Sequence, residues 1–110
     1  MVRLKRNRLK PYKIFKYVAK INNEGVRFKG YEDNPNIINA EIYPASGRVQ
    51  AQIYGEKLSY ILNMLVERST EIKERDGICI DSDVPNYEVV SIKNYTFHKF
   101  VELQKLWLNK

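Results

Sequence analysis

The residues that most catalytic and metal centres depend on are nearly missing from this chain, which has one cysteine and one histidine in 110 residues. With Cys79 alone, an internal disulfide is excluded and a reducing compartment is expected. The thiol lies between Ile78 and Ile80, the setting of a buried, inert cysteine. His98 has no second histidine to build a metal site with, and Cys79 is one strand away inside an apolar run. Asp81 and Asp83 carry the first spacing of a calcium loop, but no glycine follows where that loop needs one, and Pro85 interrupts it. Gly25, Gly30, Gly47, Gly55 and Gly77 are scattered, so no phosphate-cradling loop forms. Ser46-Gly47 lacks the strand–turn–helix context and the histidine partner of a nucleophile. The expectation is no catalytic residue, no cofactor-binding residue, no metal ligand, no cofactor, and therefore no enzyme.

Long apolar runs are also scarce. The longest, Tyr60–Val66, is broken by Asn63 and falls far short of a bilayer. The charged start is followed by no apolar stretch of the kind a signal peptide needs. A soluble protein made in the cytoplasm is expected, with no membrane partner.

Acid is absent from the first twenty residues, which hold Arg3, Lys5, Arg6, Arg8, Lys10, Lys13, Lys16 and Lys20. The whole chain is +6, so the remaining ninety residues, with eleven bases and thirteen acids, are slightly acidic. A localised basic start reads as attraction to nucleic acid or to an acidic protein surface, or as a solvated tail. Residues 1–11 are assigned as a basic arm ending at Pro11, and 12–110 as one domain, which the length suits. Arg3, Lys5, Arg6, Arg8, Lys10 and Lys13 are the candidate contacts to DNA or to a partner.

What the chain does have is strand patterning. Asp76–Leu106 reads as a three-stranded meander. Gly77–Ile80 is followed by the turn formers Asp81–Asn86, then Tyr87–Ile92, a reversal at Lys93-Asn94, and Tyr95–Leu103. Upstream, Tyr12–Asn22 alternates as one strand, Asn22–Gly25 is a turn, and Val26–Tyr31 returns. Glu32–Asn36 is a loop. Ile37–Tyr43 is a strand with Ile38, Ala40 and Ile42 on one face. Arg48–Tyr54 alternates strictly and is expected to be another strand. Glu56–Arg68 fits two periods: Leu58, Ile61, Leu62 and Leu65 make a helical stripe, while Tyr60, Leu62, Met64 and Val66 share strand parity.

Eight tyrosines, four phenylalanines and nineteen bases could together make a nucleic-acid surface. Within each strand, however, aromatics and bases fall mostly on opposite parities, whereas a stacking surface needs them on one face. Ordinary half-buried hairpins explain the pattern as well.

The run AEIYPASGRVQAQIYGEKLSYILNML followed by ERDGICIDSDVPNYEVVSIKNYTFHKFVELQK resembles the head-completion proteins of long-tailed phages and prophages of Gram-positive bacteria. These are also called head-closure, stopper or head-tail connector proteins. The likeness lies in the Pro44–Gly47 break, the Tyr54-Gly55 turn, Asp76-Gly77 before Ile78–Ile80, and the Tyr87–Ile92 strand. It covers roughly Lys13–Lys105; the basic start has no counterpart in it. The resemblance implies a mainly β fold, a small antiparallel β-barrel in which Glu56–Arg68 is at least partly extended. With the periodicity this gives an expectation of at most one short helix, 56–68 staying open between helix and strand. It implies a structural virion protein that joins a ring of identical copies beneath the portal and adaptor proteins. That ring closes the portal channel on packaged DNA and offers a docking surface to a tail-completion protein. A loop projecting into the channel and strand addition between subunits belong to the same picture. Its place would be the virion's head–tail connector, assembled in the bacterial cytoplasm, with the isolated subunit a monomer or weakly self-associating. The competing expectation is a small β-barrel that binds nucleic acid through its basic arm.

Overall fold

A computed structural model describes residues 8–106. The chain is mainly β: six strands close an antiparallel barrel, and a thirteen-residue helical stretch interrupts it. The barrel strands are β1 (Lys10–Phe15), β4 (Asn36–Pro44), β5 (Ile61–Glu67), β6 (Gly77–Cys79), β7 (Tyr87–Asn94) and β8 (His98–Lys105). They follow one another around the wall as β1-β4-β5-β8-β7-β6. Closure is made by a short contact between β1 and β6, pairing Lys13 with Cys79, Ile14 with Ile78 and Phe15 with Gly77. The remaining strands, β2 (Tyr17–Ile21) and β3 (Arg27–Tyr31), form a separate hairpin. Residues 21–29 are all exposed, and the molecule measures 50 × 31 × 24 Å, so the hairpin stands out from the barrel.

The interior is filled by alternate residues of several strands, as period-two side-chain direction requires. Ile14, Ile38, Ala40, Met64, Val66, Ile78, Val89, Val101 and Leu103 are buried together with Ile72 from the β5–β6 connection. Ile38 and Ala40 are buried on the face expected for them, and Ile42 packs beside them. The expected meander is present as β6-β7-β8, with an irregularity between Val89 and Ser91. Its second reversal lies at 95–97, because β7 runs on through Lys93-Asn94 and β8 begins at His98.

Three expectations are corrected. First, Tyr12–Asn22 is two strands and not one. The chain leaves the barrel at Lys16, where the Lys16 carbonyl accepts from the Glu32 amide (2.8 Å) and so closes the hairpin base. Second, Arg48–Tyr54 is not a strand but the helix α1, continued by a 3-10 turn at Gly55–Tyr60. Of the stretch 56–68 considered for a helix, residues 56–60 are thus helical and Ile61–Glu67 is β5. Residues i and i+4 share a helix face, and here the shared pair is polar: Gln50 and Tyr54 turn inward to hydrogen-bond partners while Val49 and Ile53 face out. That inward bonding outweighs the period-two pattern. Third, β1 begins at Lys10, so Lys10 and Pro11 belong to the barrel and not to the arm. Pro11 is tolerated because the β1–β6 pairing covers only residues 13–15, leaving that stretch of β1 bonded on one side.

Consecutive barrel strands alternate in direction, which sorts the connections onto two ends. The hairpin, the β5–β6 connection and the β7–β8 turn lie at one end. The α1 segment and the loop 80–86 lie at the other.

Candidate interaction surface

The hairpin is built as its sequence suggests. Asn22 Oδ1 accepts from the Glu24 and Val26 amides (2.8 and 3.0 Å), and Gly25 takes φ 81°, which a glycine adopts without strain. The strands pair Tyr17 with Tyr31, Val18 with Gly30, Ala19 with Lys29, Lys20 with Phe28 and Ile21 with Arg27. This register overturns the parity argument. Within one strand Phe28 and Lys29 point apart, but across the pair Lys20 shares a face with Phe28, and Lys29 and Arg27 share a face with Tyr17 and Tyr31. The Tyr17 and Tyr31 rings meet edge to face (5.5 Å), leaving Phe28, Ile21 and Val26 as the exposed apolar groups. Lys20 is tied to Asp33 (3.2 Å).

One carboxylate is central to the join between hairpin and barrel. Asp76 is 1% exposed. Its Oδ1 accepts from the Tyr17 amide (3.1 Å) and its Oδ2 from the Lys73 amide (3.0 Å). Lys16 Nζ reaches the same Oδ2 at 3.5 Å and donates to the Glu71 carbonyl at 2.7 Å. Tyr31 packs so closely on Gly77 that a Cβ there would lie 2.8 Å from its ring and 2.7 Å from Pro85 Cβ.

At the opposite end a second polar cluster anchors α1. Gln50 Nε2 donates to Asn63 Oδ1 (2.6 Å) and Glu102 Oε2 (2.7 Å), and Asn63 Nδ2 returns a bond to Gln50 Oε1 (3.2 Å). Tyr54 donates its hydroxyl to Glu102 Oε1 (2.8 Å). Burial and this bond push the Tyr54 hydroxyl up to about 12. Among the described residues no buried side-chain polar atom is left without a partner. The outward face of α1 carries Val49 and Ile53, 66% and 61% exposed.

Of the six candidate contact residues, Arg3, Lys5 and Arg6 lie outside the described residues. Arg8 stands 3.7 Å from Glu41 and Lys13 3.7 Å from Asp83, while Lys10 opens β1 opposite Ala40. Arg8 and Lys10 are therefore at the opposite end of β1 from the hairpin. Its six residues separate the ends by about 17 Å, so Arg8 and Lys10 do not share a surface with the hairpin. His98 stacks on Tyr95 (5.1 Å, 24°). Cys79 is buried in β6, and burial pushes its thiol up. Among the described residues no three His, Cys, Asp or Glu side chains are placed to hold a metal ion, and no helix is long and apolar enough to cross a membrane.

Neither buried cluster was found by reading the sequence. Asp76 carries the Asp-Gly signature of a turn, which hides its bonds to Tyr17 and Lys73. The only trace of the other cluster is Glu102 standing between Val101 and Leu103 in an apolar strand. Comparison of the chain with protein-family models, with curated proteins and with solved structures finds no match to any of them.

Proposed function

We propose that the chain is a structural connector subunit of the head-completion type, working through protein–protein contacts at the two ends of a rigid barrel. The observation that carries this reading is the hairpin. The barrel is closed, whereas β2 and β3 form a separate sheet, leave one edge each and expose Ile21, Val26 and Phe28. Such a projection is costly to keep unless something covers it. In this reading copies of the chain join a ring between the portal and adaptor proteins and a tail-completion protein. The ring closes the channel on packaged DNA, and Arg3, Lys5, Arg6, Arg8, Lys10 and Lys13 supply contacts to phosphate without reading sequence.

Light scattering of the purified chain, at low and high salt, with and without a short DNA duplex, provides the test. A monomer that ignores the duplex supports the connector reading. Tight complex formation that collapses with salt refutes it in favour of a nucleic-acid-binding barrel. That second reading gains from the hairpin register, which brings Lys20 beside Phe28 and sets Arg27 and Lys29 on the face of two tyrosines. Deleting the gene from the replicon that encodes it should leave heads that neither retain packaged DNA nor join tails.

A further inference from the structure

We propose that Asp76 is a positioning residue that fixes the angle at which the β2–β3 hairpin stands on the barrel, and that it places this angle under the control of the β5–β6 connection. The inference rests on the bonding at the hairpin base and is independent of the connector reading.

The hairpin is joined to the barrel by two short crossings, at Lys16 and at residues 32–35. Two paired strands of five residues are marginal by themselves. Their orientation must come from what grips the base. The Lys16–Glu32 backbone bond closes the hairpin on itself and fixes no angle to the barrel. The grip from outside is the Asp76 carboxylate on the Tyr17 amide, the Lys16 ammonium on Glu71 and Asp76, and Tyr31 against Gly77. Asp76 is central because it alone accepts from the first hairpin residue and from the connection at once.

The connection itself is fastened to the far wall. The Thr70 carbonyl accepts from Lys99 Nζ of β8 (2.7 Å), the Arg75 amide donates to the Val89 carbonyl of β7 (2.8 Å), and the Val89 amide donates to the Asp76 carbonyl (2.9 Å). Glu71, Lys73 and Glu74 are exposed along it.

The test is nuclear magnetic resonance relaxation and amide exchange on the full chain and on Asp76→Ala. In the parent, hairpin and barrel tumble as one body, with backbone order parameters near ~0.85 throughout. In Asp76→Ala the amides of residues 17–31 fall below ~0.6 and the Tyr17 amide exchanges at least about tenfold faster, as loss of one protecting hydrogen bond allows, while β4, β5 and β8 keep their values. Asp76→Asn retains an acceptor oxygen and should restore part of the order; it also serves if the alanine variant does not fold. Lys16→Met keeps the stem, removes the bonds to Glu71 and Asp76, and should loosen 70–76 relative to β8. A hairpin as ordered in Asp76→Ala as in the parent, or order lost equally from the barrel and hairpin in both Asp76 variants, overturns the proposal.

Discussion

Replacing Gln50 by alanine should be far more damaging than replacing the entire polar cluster around it by apolar residues. Gln50 is 9% exposed and makes bonds to Asn63, to Glu102 and, through Oε1, to the Ser46 amide (3.1 Å). Truncation leaves the Asn63 amide and one Glu102 oxygen buried without their partner, at 4% exposure each. Each such orphan costs about 1–3 kcal/mol. With some relief from entering water, a loss of about 3 kcal/mol is expected, against a total stability of roughly 5–15 kcal/mol for a domain of this kind. Unfolding entropy for this length makes 1 kcal/mol worth about 4 °C, so Tm should fall by roughly 12 °C. By contrast the combination Gln50→Leu, Tyr54→Phe, Asn63→Leu and Glu102→Leu removes the side-chain partners together, including a buried carboxylate, leaves only the amide of exposed Ser46 to water, and should be close to neutral. Urea unfolding followed by far-ultraviolet circular dichroism, together with scanning calorimetry, measures both. A loss below about 0.5 kcal/mol for Gln50→Ala, the level of an ordinary surface substitution, would refute the reasoning. So would a quadruple variant less stable than the single one.

Other consequences are as direct. Gly77→Ala puts a Cβ 2.7 Å from Pro85 Cβ and 2.8 Å from the Tyr31 ring, so it should cost about 1–3 kcal/mol by overpacking, read in the same urea experiment. Met64→Ala, at a fully buried position of β5, should cost about 2–5 kcal/mol. The Tyr54 hydroxyl is raised from 10.0 to about 12 in the folded chain, so the fold favours its neutral form. That contribution is complete below pH 10 and is lost as pH rises toward 12. Burial also raises Tyr12, Tyr31 and Tyr43, and phenolate absorbance should lose its latest-titrating component in Tyr54→Phe. Cys79, buried and with its thiol pushed up, should resist a thiol reagent in the native protein and react at once in denaturant.

The parts of the fold legible in the sequence are those fixed by local pattern. The Asn22–Gly25 turn, the buried face of β4 and the order β6-β7-β8 all follow from turn chemistry and alternation over neighbouring residues. What escaped was decided by groups distant in the chain. Nothing in Tyr12–Asn22 shows that a carboxylate 59 residues away takes the Tyr17 amide where the strand leaves the barrel. Likewise Arg48–Tyr54 has a strand's alternation, and it becomes a helix because Gln50 and Tyr54 find Asn63 and Glu102. Barrel closure between β1 and β6 is equally silent, since three paired residues leave no pattern of their own.

The candidate surface was legible in composition but not in place. The basic residues were noticed at the start of the chain, where Arg8 and Lys13 already face Glu41 and Asp83. The large exposed apolar residues tell more. Ile21, Val26, Phe28, Tyr95 and Phe97 crowd the hairpin end, and Val49, Ile53, Tyr60 and Val84 the other, with Ile37 near the start of β4. The middle of the wall shows none among the described residues, though a small barrel needs no such asymmetry to fold. An apolar residue adds nothing to stability at an exposed position. Surplus hydrophobicity sorted to the two ends is therefore better explained by contacts made there than by the requirements of the barrel. It is this distribution, more than the net charge of +6, that supports the proposed reading of a protein partner.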